Sequence, residues 1–203
     1  MNMLRILLFG LALVPLMIQS LHADPNYYLL SGGWNLSTFM LDIPQGLPKP
    51  TQHYRSGYGI TAGIQVHPRN NVGVVTGVGY ETRGSKWATP TGDMILKFDY
   101  LHLPVSLKLM MNPQSLVQPY ISPGIDMAFL IASNKDGDKS LRDFSSFDLD
   151  ISGAVGLHMP SGDNAAFVEI GYAHGLLNAS GGDDGRTANN SNIKFRVGIL
   201  KGW

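Results

Sequence analysis

The last stretch of the sequence, Asn192-Ile-Lys-Phe-Arg-Val-Gly-Ile-Leu-Lys-Gly-Trp203, decides how the rest is read. In an extended strand Ile193, Phe195, Val197 and Ile199 share one face, while Lys194, Arg196 and Gly198 share the other. An apolar face backed by a basic and glycine-bearing face, closing on an aromatic residue, suits a strand that seals a membrane barrel.

The same period of two recurs upstream. Leu96 to Met111 is the cleanest instance, with Leu101, Leu103, Val105, Leu107 and Leu109 on one side and His102, Ser106 and Lys108 on the other. Five consecutive matches to that period do not fit a helix. Similar alternation runs through Tyr28–Phe39, Tyr58–Val66, Val72–Arg83, Val117–Ala132, Phe147–Met159 and Phe167–Leu177. With Asn192–Trp203 these segments predict eight strands. Long connections are expected at Met40–Gly57, Gly84–Asp93, Asn134–Ser145 and Asn178–Asn190, and short turns at His67–Asn71, Asn112–Ser115 and Pro160–Asn164. The prolines at 44, 48 and 50 forbid a central strand there. Alternate long and short connections predict an all-β, eight-stranded antiparallel up-and-down transmembrane β-barrel, with the turns and both termini in the periplasm.

Composition narrows the setting. Charged residues make up 15% of the 203, against roughly 25% in ordinary soluble proteins, and 24 residues are glycine. Fifteen acids balance fifteen Lys and Arg, so nothing points to nucleic acid. The absence of cysteine excludes disulfides and a lipid-modified N-terminal cysteine. Arg5, the apolar run Ile6–Ile18 and the small residue Ala23 predict a signal peptide over 1–23, leaving 24–203 as one barrel domain. The alternative, a retained anchor, needs a longer apolar run.

Alternation does not say which face is outside, because a soluble barrel puts its apolar residues inside. Gly32-Gly33-Trp34 resembles the Gly-x-Trp of lipocalins, which keeps a soluble ligand-binding calycin-like barrel as an alternative. The polar face decides for the membrane: it is rich in Gly, Ala and Ser, where a solvated exterior would carry many Lys and Glu. Aromatic residues add two expected interfacial bands, Tyr58, Tyr80, Tyr100 and Phe147 toward the loops and Tyr28 and Trp203 at the opposite end. The expected location is the bacterial outer membrane, with its lipid and lipopolysaccharide as surroundings.

Three segments carry a family likeness: Asp99-Tyr-Leu-His-Leu-Pro-Val-Ser-Leu-Lys-Leu109, Gln118-Pro-Tyr-Ile-Ser-Pro-Gly124 and Glu169-Ile-Gly-Tyr-Ala-His-Gly-Leu-Leu-Asn178. They resemble the PorT-like outer-membrane β-barrel family over nearly all of the chain after the signal. The resemblance implies a barrel without a defined reaction; one relative, the PorT protein, participates in protein secretion. Arg196, Gly198 and Trp203 also resemble the signal read by the barrel-assembly machinery, although Lys201 stands where that pattern has an apolar residue.

The charges expected inside are Glu81, Arg83, Asp126, Asp150, Lys194 and Arg196 in the outer half, and Lys108 and Glu169 in the inner half. Four acids matched by four bases predict a salt-bridged plug, since unpaired charge is costly away from water. A gated ion path is the alternative. His174, Asn178, Ser180 and Asp183 form the one grouping that suggests an enzyme, a lipid A-modifying deacylase. Such chemistry needs an imidazole in reach of the hydroxyl, but Ser180 lies six residues away and position 176 is Leu. Asn134-Lys-Asp-Gly-Asp-Lys139 has carboxylates at calcium-like intervals, but its Gly is misplaced and no terminal Glu follows, and Gly181-Gly-Asp-Asp-Gly185 is a turn former before it is a ligand. No catalytic residue, metal or cofactor is therefore expected. The outer loops are the expected contact surface for a protein partner.

Overall fold

The computed structural model describes residues 26–42, 51–89, 92–135, 145–178 and 187–203; the expected signal peptide lies outside them. Eight strands follow in order: β1 Tyr27–Asp42, β2 Thr51–Arg69, β3 Val72–Thr89, β4 Gly92–Met110, β5 Gln118–Lys135, β6 Phe147–Ser161, β7 Asn164–Gly175 and β8 Thr187–Gly202. Each pairs antiparallel with the next, and β8 returns to β1 to close the barrel. The closing seam is paired residue by residue, from Tyr27 with Gly202 to Asp42 with Thr187. Closure matters because hydrocarbon offers no hydrogen bonds to a free strand edge.

The alternation read from sequence becomes an outward apolar surface. Leu30, Trp34, Ile60, Val78, Leu107, Ile125, Val155, Ile170, Phe195 and Ile199 are all exposed on it. On β3 this band runs from Val72 to Tyr80 and on β4 from Leu109 to Leu101. Those lengths match the roughly 9–11 residues that a tilted strand needs to cross the hydrocarbon.

Beyond the band, toward the long connections, the two faces exchange character. Leu96, Phe98 and Tyr100 point into the lumen, where they form a buried cluster with Phe39, Ala128 and Ala188. The outward positions of the same strand become Lys97 and Asp99. A one-residue register shift between β4 and β5 lies at Asp99/Tyr100, where the change occurs. At the turn end a second apolar cluster fills the lumen, made of Tyr27, Leu29, Met110, Tyr120, Ala165, Phe167 and Leu200.

Three expectations change. Half of the supposed loop Met40–Gly57 is strand: β1 runs to Asp42 and β2 starts at Thr51, just past Pro50, pairing with Ala88. Gly84–Thr89 and Gly92–Asp93 are strand and not loop, because β3 and β4 stay paired out to Thr89 and Gly92; Pro90 and Thr91 lie outside the described residues. Tyr100 is not interfacial; it is 2% exposed, inside the barrel. Tyr58 and Tyr80 do face outward with ring centroids 6.0 Å apart, and Tyr28 meets Trp203 at 5.7 Å at the other end.

Gly198 has a packing reason of its own. A Cβ there would lie 2.6 Å from Phe167 Cζ and 2.9 Å from Ser31 Cβ, in the middle of the turn-end cluster. Gly198→Val should destabilise the folded barrel by about 1–3 kcal/mol through overpacking. The readout is a lower temperature for the shift between folded and unfolded bands on a gel.

Candidate functional site

Between the two apolar clusters the lumen is lined with charge, because each strand turns its polar face inward there. Arg83, on β3, is wholly buried and surrounded by four carboxylates. Its Nε lies 3.1 Å from Glu81 Oε1, and its terminal nitrogens lie 2.7 Å from Asp150, 3.7 Å from Asp126 and 4.0 Å from Asp148. The guanidinium stands 5.1 Å from the centre of the Tyr100 ring, so a cation–π contact adds to the ion pairs.

Lys194 reaches in from β8 and bridges two of the same acids, at 2.7 Å from Glu81 Oε2 and 3.2 Å from Asp126 Oδ2. His102 Nδ1 lies 3.1 Å from both Asp126 oxygens, and its Nε2 is 3.2 Å from Thr61 Oγ1. Asparagines complete the shell. Asn35 donates to Glu81 Oε1 at 3.1 Å, Asn192 donates to the same oxygen, and Asn190 donates to Asp148. A buried carboxylate carries several lone pairs, and neutral amides take up some of those on Glu81 and Asp148 that the cations leave free.

A second set lies nearer the turns. Arg196 Nη2 pairs with Glu169 Oε1 at 2.6 Å, and the Tyr120 hydroxyl donates to Glu169 Oε2 at 2.6 Å. Lys108 donates to Gln65 Oε1 at 3.0 Å and sits 4.3 Å and 4.8 Å from the ring centres of Tyr120 and Phe167. A cavity of about 50 Å³ touches both sets, with Ser31, Thr61, Ser106, Ser122 and Ser152 in its lining. At roughly 10–15 Å³ per water it has room for a few water molecules.

The structure thus gathers Glu81, Arg83, Asp126, Asp150 and Lys194 in one network and Lys108, Glu169 and Arg196 in another. Arg196 differs from expectation: its ion-pair partner is Glu169 of the turn-end set, not an acid of the outer half. Asp148 adds a fifth carboxylate, so the expected balance of four against four omits one acid. His102, Asn35, Asn190 and Asn192 were also missed as participants. Their signal was present, since Asn190, Asn192, Lys194 and Arg196 continue one face of β8, but amides do not stand out in a count of charges.

Glu81, His102 and Asp126 present ligand atoms within 4.8 Å of one another, a grouping that could hold a metal ion. Lys194 already places an ammonium between the two carboxylates, so the donor set is neutralised from within the chain. Of the suggested enzyme grouping, Ser180 and Asp183 lie outside the described residues. Asn178 accepts a hydrogen bond from the Ala188 amide at 2.8 Å. His174 is opposite Ser191 in the β7–β8 ladder, but Ser191 is fully buried and its hydroxyl donates to the Tyr172 oxygen at 3.1 Å. A serine held in that way is not presented to a substrate.

The geometry ranks three substitutions. Arg83→Ala should destabilise most, by about 3–5 kcal/mol, because it leaves buried carboxylates uncompensated. Arg196→Ala should cost less, since that side chain is 30% exposed and faces one acid. Lys108→Met should cost least, keeping the aromatic packing and losing one bond to a neutral amide. Thermal unfolding of the three variants in detergent would test the order, and an Arg83→Ala barrel as stable as the parent would contradict it.

The fold is shared with known barrels. Neisserial surface protein A superposes with a TM-score of 0.53 at 13% identity, covering 89% of this chain and all (100%) of that one. The outer membrane protein OprG from Pseudomonas aeruginosa gives 0.51 at 16% identity, covering 91% and 98%. A comparison with curated proteins found no match. The profile described as the outer membrane protein beta-barrel domain matches residues 28–181. The chain therefore belongs to the outer membrane protein beta-barrel domain family, and its place is the bacterial outer membrane.

Proposed function

We propose that this protein is a non-enzymatic barrel with a closed lumen, whose task is carried by the surface at its loop end. The observation that carries the reading is the layering of the interior. Two networks of ion pairs, both touching a cavity for a few waters, lie between two clusters of buried apolar side chains. An ion crossing this path would have to break Arg83 from its carboxylates and also pass apolar layers at both ends, and eight-stranded barrels as a class are filled by side chains.

In this reading the turns face the periplasm and the long connections face outward, following a chain that enters from the periplasm behind a cleaved signal peptide over 1–23. Asp99–Leu109, Gln118–Gly124 and Glu169–Asn178 support a PorT-like branch of the family, with a role in envelope assembly or protein secretion through a protein partner on the outer loops. Arg196, Gly198 and Trp203 serve as the signal for the barrel-assembly machinery, and Trp203, exposed beside Tyr28, is well placed for recognition before the seam closes.

Two measurements test this. In planar bilayers the protein should give no steady conductance, and Arg83→Ala alone should open none while the apolar layers at both ends remain; steady current through the unaltered protein would overturn the reading. Deleting Trp203 should lower the amount of folded barrel recovered from the outer membrane at least several-fold, while the refolded variant keeps near-parent thermal stability. Normal recovery would remove the assembly role.

A further inference from the structure

We propose that the outward face of β2–β4, just beyond the aromatic band, binds the phosphate groups of a phosphorylated glycolipid headgroup in the outer leaflet. The site is built on His53, Lys86 and Lys97. It rests on the orientation given above, with the long connections outside.

The first observation is where the faces exchange character. Tyr58 and Tyr80 are neighbouring outward aromatics on β2 and β3, and aromatic side chains prefer the boundary of the hydrocarbon. Past them the outward residues of β4 become Asp99 and Lys97, while Leu96, Phe98 and Tyr100 turn inward. A wall that is apolar inside and charged outside belongs in the headgroup layer. Tyr80 pairs with Leu101, so Lys97 stands four residues farther out on the tilted strand, roughly 10 Å above that row.

The second observation is that Lys86 and Lys97 share one outward patch on neighbouring strands. In the ladders His53 is opposite Lys86, and Lys86 is opposite Ile95, two residues from Lys97. Directly and diagonally opposite residues on one sheet face are close enough for both ammonium groups to reach one headgroup. Among the outward residues whose side chains are described, the loop ends of the other strands carry Met40, Ile131, Phe147, His174 and Asn189, and no lysine or arginine.

Asp99 sits beside Lys97, with its Oδ1 3.5 Å from the ammonium, and it takes a hydrogen bond from the Tyr80 hydroxyl. The pair is long for an ion pair, and the Lys97 side chain keeps 38% of its surface exposed. Asp99 anchors the lysine at the level of the boundary and competes weakly with a phosphate, which carries more charge and more acceptor oxygens.

The test uses the folded barrel in nanodiscs, titrated with bis-phosphorylated lipid A and with the same lipid dephosphorylated. Retention is read by native mass spectrometry. The unaltered protein should prefer the phosphorylated lipid by about tenfold, and the preference should fall with salt. The pair K86Q/K97Q should abolish it, while R69Q/K201Q, at the turn end, should leave it intact. Asp99→Asn should raise it. No preference in the unaltered protein, an undiminished preference in K86Q/K97Q, an equal loss in R69Q/K201Q, or a fall in Asp99→Asn would each overturn the site. Because the sequence has no cysteine, Ile95→Cys gives a clean orientation check. Labelling of intact cells by an impermeant maleimide reports the loop end outside, and its failure would overturn the orientation rather than the phosphate chemistry.

Discussion

The burial of Arg83 among Glu81, Asp126, Asp148 and Asp150 is the interaction on which the interior depends. A guanidinium with no exposed surface is tolerable only where acids and amides replace the water it has lost. Its partners come from β3, β5 and β6, and Lys194 carries the network to β8. Strands that never touch along the wall are thus tied together across the lumen. The backbone ladder holds each strand to its two neighbours, while the charged network relates opposite walls.

That arrangement also accounts for the shape of the interior above and below it. Ion pairs strengthen as the local dielectric falls, and an apolar cluster lies on either side of the charged layer. Tyr100 and Tyr120 belong to both systems. Each packs in an apolar cluster and touches charge, Tyr100 under Arg83 and Tyr120 through its hydroxyl on Glu169 and its ring on Lys108. The aromatic residues join the dry layers to the ionic ones.

The long strands put the membrane in only part of the barrel. β2 and β4 have 19 residues each, well over the roughly 9–11 that a bilayer requires, and β7 has 12. The surplus on β2–β4 makes a paired rim lined inside by Leu96, Phe98 and Tyr100. Contact with the surroundings is accordingly as much a matter of paired strand as of loop. The likeness to other eight-stranded barrels reaches the wall and stops there, since a shared barrel carries many unrelated tasks.

Much of this was legible in the order of residues. Period-two alternation named the strands, and the Gly- and Ser-rich polar face named the side toward the lumen, because both follow from local pleating and from what a narrow interior can hold. Charged residues on that face, Glu81, Arg83, Asp126 and Lys194 among them, could be picked out one strand at a time. Their pairing could not, because partners such as Glu81 and Lys194 are more than a hundred positions apart and meet only when β8 closes on β1. Tyr100 was legible but misread: it shares the face of His102 and Lys108 on β4, so the period of two puts it inside, and its aromatic type alone was a poor guide to an interface. The sequence alone determined that the chain alternates into a membrane wall; tertiary closure decided which charges face each other, because distance across a barrel depends on register around the whole ring.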